Sequence, residues 1–176
     1  MARTRGRKSK AGGASGELRF IPLGGFGEIG KNMLVFECGE DIIVVDSGLK
    51  FPDEEMFGID FVIPDVSYLV ENKDRIRGIL LTHGHEDHTG SLPFVLPQLD
   101  VPLYGTALTL GLAKGKISEF APSYDPDLRE VHAGDTVELG VFKVRFVAVC
   151  HSIPDGVGLI IETPQGLVVH TEDFKL

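Results

Sequence analysis

The sequence predicts an α+β fold: two β-sheets packed face to face, with helices on the outside. Short runs rich in Val, Ile and Phe, each of strand length, are punctuated by Gly, Pro and Asp turns. They crowd both ends of the chain, and the few segments with a helical apolar period lie between them. The regular β-α alternation of a doubly wound sheet is therefore missing. With 176 residues, of which 43% are hydrophobic, the chain has the length of one domain and enough apolar content for a core.

The first 16 residues, "MARTRGRKSKAGGASG", hold Arg3, Arg5, Arg7, Lys8 and Lys10 and no acid. A Gly/Ser/Ala-rich basic segment buries too little apolar area to fold, so residues 1–16 are expected to form a disordered arm of the kind that binds polyanions. All 26 acidic residues lie beyond the arm, in a body over residues 17–176 that is strongly acidic. A polyanionic partner then requires bound cations or local basic patches at the site.

Strands are predicted over residues 18–23, 33–38 and 42–46. "SGLKFPDEEMFGIDFVIPD" carries two prolines, two glycines and no sustained period, and reads as an irregular loop. A short helix is expected at 66–72, a buried strand at "RGILLT", and a short helix interrupted by prolines at "HTGSLPFVLPQL". "VPLYG" is a strand, and "TALTLGLAKGKISEF" a helix with Thr106 as N-cap. The remainder, "REVHAGDTVELG", "VFKVRFVAVCH", "GVGLIIETP" and "GLVVHTEDF", is mostly strand. The chain stops directly after this last strand, and is expected to be a fragment of a larger domain.

Gly25, Gly27 and Gly30 spell the G-x-G-x-x-G of dinucleotide-binding proteins, with Asp46 near the place of a ribose-binding acid. That motif needs its third glycine to open a helix. Between Gly30 and Asp46 the chain instead reads as a hairpin, so the glycines are expected to let backbone approach something closely. Cys38 and Cys150 form no C-x-x-C and are expected to be buried thiols. Cys150 and His151 are strand neighbours facing opposite ways, which disfavours a Cys-His dyad. No apolar run approaches a membrane span and no signal segment precedes the first strand, so the default compartment is the cytoplasm.

The decisive stretch is "LLTHGHEDHTG". His83, His85, Asp87 and His88 fall within six residues at the end of a buried strand. Imidazole and carboxylate suit zinc or manganese, and so dense a cluster repels itself on protonation unless a cation neutralises it. Later strand ends supply His151 and Asp173. The expected assignment is His83, His85 and His151 on one metal, Asp87 and His88 on a second, and Asp173 between them. His132, before a turn, and His170, inside a strand, are read as structural.

"HGHEDH" resembles the H-x-H-x-D-H signature of the metallo-β-lactamase fold, with "VVDSG", His151 and Asp173 in the expected order. More closely, "LGGFGEIGKNM", "GLKFPDEEMFGIDFVIPD", "LTHGHEDHTGSLPFVL", "VPLYGT", "HSIPDGVG" and "HTEDFKL" resemble the ribonuclease J family, of the β-CASP branch, from Leu18 to Leu176. The resemblance implies an αββα sandwich with two zinc ions at its edge, manganese or magnesium being the substitutes. It implies hydrolysis of RNA, endonucleolytic and 5′ to 3′ exonucleolytic, in RNA maturation and decay, including rRNA processing. Single-stranded, 5′-monophosphorylated RNA would be the partner, and the full-length protein would be a homodimer or larger.

Under this resemblance Asp87, His88 and Asp173 belong to the catalytic centre, the Gly25–Gly30 loop lies beside the metals, and Asp46 positions the ligand loop. Two cations about 4 Å apart lower the pKa of a shared water and stabilise phosphodiester charge, leaving a 5′-phosphate and a 3′-hydroxyl. Members carry Thr-Gly-Asp where this chain has Thr171, Glu172 and Asp173, so Glu172 is expected to crowd the bridge or change metal affinity. The β-CASP insertion and a further histidine of the second metal come in the family from sequence after residue 176. The 176 residues alone are therefore expected to hold the second metal weakly and cleave RNA poorly. The alternatives are a hydrolase of a small ester or thioester on the same fold, and an inert metal-binding fragment.

Overall fold

The computed structural model describes residues 16–175. The expected basic arm lies outside them except for Gly16, whose carbonyl accepts a hydrogen bond from Gln165 Nε2 at 2.7 Å. Ten strands form two sheets. The first sheet contains β1 (Leu18–Gly24), β2 (Met33–Cys38), β3 (Asp41–Val45), β4 (Ile76–Leu80), β5 (Leu103–Gly105) and β6 (Leu128–Glu130), in that order. Its first three strands are antiparallel and its last three run parallel to β3. The second sheet is an antiparallel meander of β7 (Thr136–Leu139), β8 (Phe142–Ala148), β9 (Val157–Thr163) and β10 (Gly166–His170).

Alternation along the strands divides the core in two. Ile42 and Val44 of β3 face a helical layer, while Ile43 and Val45 face the second sheet. The helical layer consists of α1 (Ser67–Glu71), α2 (Glu86–Thr89), α3 (Leu92–Leu99) and α4 (Ala107–Phe120). Leu92, Val95 and Leu96 of α3, with Ala113 and Ile117 of α4, complete its cluster. Between the sheets lie Phe36, Phe142, Val144, Phe146, Leu159 and Ile161, all buried. The layers are thus helix, sheet, sheet; among the described residues no helix covers the outer face of the second sheet, where Leu167, Val169 and Phe174 are exposed.

Three local expectations are corrected. The helix predicted across 88–99 is two helices, because the Ser91 backbone bonds away to Ser47 O and starts α3 afresh through Val95. Thr106 occupies the cap position of α4, but its hydroxyl turns to Asp155 O and Thr109 Oγ1 and makes no capping bond. Cys38 is buried as expected, whereas Cys150 is exposed: it follows the end of β8 and borders the uncovered face of the second sheet, not the space between the sheets.

This topology builds one rim. β8 and β10 flank the antiparallel β9 and therefore end on the same side, beside the start of β9. A hydrogen bond of 2.9 Å from Val157 N–H to Thr82 O ties that rim to the end of β4. The segments after β3, β4, β8 and β10 all open onto it.

Candidate metal centre

His83 follows β4 and is completely buried; His85 caps the start of α2; His151 follows β8. His83 Nε2 lies 2.9 Å and His151 Nε2 3.3 Å from His85 Nδ1. A tetrahedral ion with bonds of about 2.0–2.1 Å holds neighbouring nitrogens about 3.3 Å apart, so this triangle has the size of a metal face. Three imidazole nitrogens aimed at one another cannot all be satisfied by protons, whereas one cation satisfies all three. Burial, together with the nearby His83 and His151 rings, pushes His85 below its usual pKa, which favours the neutral ring a metal needs.

A second group adjoins the first. His83, His88, Glu172 and Asp173 bring ligand-type atoms within 4.8 Å of one another. His88 Nε2 is 3.6 Å from Asp87 Oδ2 and 3.7 Å from Asp173 Oδ2. Asp173 Oδ2 is also 3.9 Å from His151 Nε2, so this one oxygen stands between the two groups. His83, His85, His88, His151, Asp87 and Asp173 are thereby gathered in one place. His132 and His170 belong to neither group; His132 is a surface residue beside Glu130 and Asp135.

The loop after β3 supports this arrangement. Asp46, at φ 62°, leaves the strand and turns its carboxylate into the rim. Its Oδ1 accepts from Thr82 N–H at 2.9 Å, and its Oδ2 lies 2.9 Å from His88 Nδ1. Burial disfavours a charged His88, yet the Asp46 hydrogen bond and charge, with Glu172 and Asp87, hold it up at about 9. Backbone bonds from Ser47 N to His88 O and from Leu49 N to Glu86 O zip this loop to the histidine segment. A Cβ on Gly48 would overlap the Asp87 carbonyl, so only glycine fits there.

A cavity of about 360 Å³ opens beside the second group, lined by Gly25, Phe26, Asn32, Asp46, His88, Glu172 and Asp173 among others. Gly25, Gly27 and Gly30 all have positive φ, which accounts for the glycine spacing. Only Gly25 lines the cavity; Gly27 faces open space, and Gly30 packs on Leu49 and Lys50.

Two residues of the site were not assigned from the sequence. Asn32 Nδ2 lies 3.0 Å from His88 Nε2 and 3.3 Å from Asp87 Oδ2. Its only sequence signal is its place at the end of the glycine loop. Glu172 stood out as a departure expected to crowd Asp173 or change metal affinity. Its side chain does not press on Asp173: it is 1% exposed and turned inward, with Oε1 2.7 Å from His83 Nδ1, while Asp173 points outward at 55%. Burial would raise the Glu172 carboxyl, but the His83 and His88 rings hold it at about 2.

The family model of the metallo-beta-lactamase superfamily matches residues 27–169, which includes every element of the rim except the Thr171–Asp173 turn. The chain belongs to the metallo-beta-lactamase superfamily. Within the superfamily, its sequence is 46% identical to ribonuclease J of Thermus thermophilus over 97% of this chain and 31% of that protein. It is 49% identical to ribonuclease J2 of Bacillus subtilis, over 90% of this chain and 28% of that protein. The chain thus spans less than a third of these relatives. Among solved structures, a protein of unknown function from Enterococcus faecalis superposes with a TM-score of 0.75 at 20% identity, over 90% of this chain and 44% of that one. The metallo-beta-lactamase fold protein YhfI of Bacillus subtilis superposes with a TM-score of 0.59 at 17% identity, over 89% of this chain and 62% of that one. The family model and the likeness to YhfI bear out the predicted superfamily fold. Among the described residues no helix is long and apolar enough to cross a membrane.

Proposed function

We propose that the chain carries the metal-binding catalytic portion of a ribonuclease that hydrolyses RNA phosphodiesters with water as the nucleophile. The observation that carries this reading is the convergence of His83, His85 and His151 on one point, with Asp173 Oδ2 between that point and His88. The choice of RNA as substrate is supported by the similarity to the two ribonuclease J proteins.

In this reading His83, His85 and His151 would hold one divalent ion and Asp87 and His88 a second, with Asp173 in reach of both. Zinc is the ion best suited to a site so rich in imidazole, with manganese as the substitute. When bound, such cations supply Lewis-acid polarisation of the phosphodiester and lower the pKa of water toward neutrality. The chain's own groups prepare the site. Asp46 engages His88 Nδ1 and so turns Nε2 toward the cation. The Asn32 amide donates to the Asp87 carboxylate and fixes its orientation. Phe26, 86% exposed at the cavity edge, offers a ring face on which a base stacks.

The products are a 5′-phosphate and a 3′-hydroxyl, and cleavage does not need the ribose 2′-hydroxyl. Action from a 5′-monophosphate end as well as internally, assembly of the longer protein into a homodimer or larger, and a cytoplasmic location complete the proposal. Measuring metal content, then cleavage of 5′-monophosphorylated RNA by this chain and by a longer version, tests it. Metal in both and RNA cleavage by the longer protein are expected. Thioester hydrolysis without RNA cleavage would overturn the substrate, and absence of metal from both would overturn the mechanism.

A further inference from the structure

Glu172 combines three properties that conflict unless it acts on a cation. It holds φ at 65°, in the left-handed region that favours glycine. Its side chain is almost fully buried, and neither carboxylate oxygen has a hydrogen bond of good geometry. Its charge is met chiefly by imidazoles: Oε1 stands 2.7 Å from His83 Nδ1 and 3.8 Å from His88 Nδ1. The strained backbone weakens the fold that carries it, while the carboxylate is kept ionised by the rings it faces.

The direction of approach shows what the anion does. His83 presents Nε2 to His85 and His151, and Glu172 sits on the opposite, Nδ1 side of the same ring. Thr82 Oγ1 is 3.2 Å from that Nδ1 but has its single proton engaged by Asp46, at 2.8 Å from Oδ2, so toward His83 it can only accept. The surroundings of Nδ1 thus favour a proton there, and that leaves the Nε2 lone pair free. Asp46 stands in the same relation to His88. Each of the two buried histidines therefore has a carboxylate behind it.

We infer that Glu172 is a positioning residue: its buried carboxylate sits behind His83, fixes Nε2 as the metal-facing nitrogen and strengthens divalent-cation binding at the His83–His85–His151 site. The inference rests on the metal reading above and adds to it a carboxylate behind His83. A dication on the far side of His83 would draw further on the same carboxylate through the ring.

Two measurements test this. Zinc affinity is read by competition with a chromophoric chelator, and the thermal midpoint is read on the metal-free chain, for the parent, Glu172→Gly and Glu172→Gln. Glu172→Gly is expected to weaken zinc binding about 10- to 100-fold, and its metal-free midpoint is expected to exceed that of Glu172→Gln, because only the glycine variant relieves the backbone strain. Glu172→Gln keeps the backbone strain but loses the charge, so its zinc affinity falls with that of the glycine variant. Equal zinc affinity in all three proteins, or tighter binding by the glycine variant, overturns the inference and leaves the metal site standing. A parent chain that takes up no zinc overturns the metal reading and the inference together.

Discussion

Asp46 Oδ2 lies 2.9 Å from His88 Nδ1 while Oδ1 of the same carboxylate accepts from Thr82 N–H, so one side chain joins the end of β4 to the histidine in the last turn of α2. Replacing Asp46 with asparagine keeps the shape and suits the left-handed backbone, but it removes the charge and puts an amide where an acceptor is needed. Asp46→Asn is expected to fold and to bind the second cation about 10- to 100-fold more weakly. Zinc titration with two-site analysis checks this; unchanged affinity at both sites would remove Asp46 from the metal network.

His151 comes from a segment far in sequence from His83 and His85, yet its Nε2 completes their triangle. His151→Ala leaves two nitrogens, too few for a closed site. Metal content measured by elemental analysis after dialysis should fall by the equivalent of one ion. The metal-free thermal midpoint should hardly move, because His151 sits at the rim and the substitution relieves crowding among like rings.

How far the sequence reveals the site depends on how each residue earns its place. His83, His85, Asp87 and His88 are legible because ligand chemistry is packed into six residues, and His151 and Asp173 because strand ends share a rim. Short runs rich in Val and Ile likewise reveal the strands, although that Ile42 to Val45 divide between two cores shows only in the fold. Glu172 was not legible, since whether its side chain joins Asp173 or turns behind His83 depends on the φ of one residue. Asn32 depends on the loop path that brings it against Asp87 across 55 residues of sequence. Cys150 misled because the alternation of an apolar strand does not tell which sheet face is covered.

Away from the rim, Glu37 is nearly buried between Arg75 at 2.7 Å, Arg19 at 3.2 Å and the Tyr68 hydroxyl. Burial alone would raise its carboxyl, but the Tyr68 and Arg75 hydrogen bonds prevail and hold it below its ordinary 4.5. A depressed folded pKa means that this stabilisation is complete above the unfolded value and is lost as pH falls through the folded one. Glu37→Gln should cost about 1.5–3 kcal/mol at pH 7. The gap between parent and variant in urea melts should narrow as the pH drops below 4.5. A gap constant down to strong acid would mean that the charge contributes nothing.

Gly48 and Gly111 form a matched pair in which the same substitution has opposite signs. At Gly48 a new methyl group would overlap the Asp87 carbonyl and press on Asn32 N, in the loop that holds Asp87 and His88. The atoms in the way are backbone and cannot swing aside, so Gly48→Ala should destabilise by about 1–3 kcal/mol. It should also loosen the second cation more than the first, because His85 and His151 do not hang on that contact. Gly111 lies on the exposed side of α4 with nothing near its missing Cβ. There alanine costs less chain entropy on folding, and Gly111→Ala should stabilise by about 0.5–1 kcal/mol. Thermal melts of both variants, with zinc titration of Gly48→Ala, test the pair. A Gly48→Ala protein with parental stability and two intact sites would mean that the loop does not press on Asp87, and the packing given for this rim would be wrong.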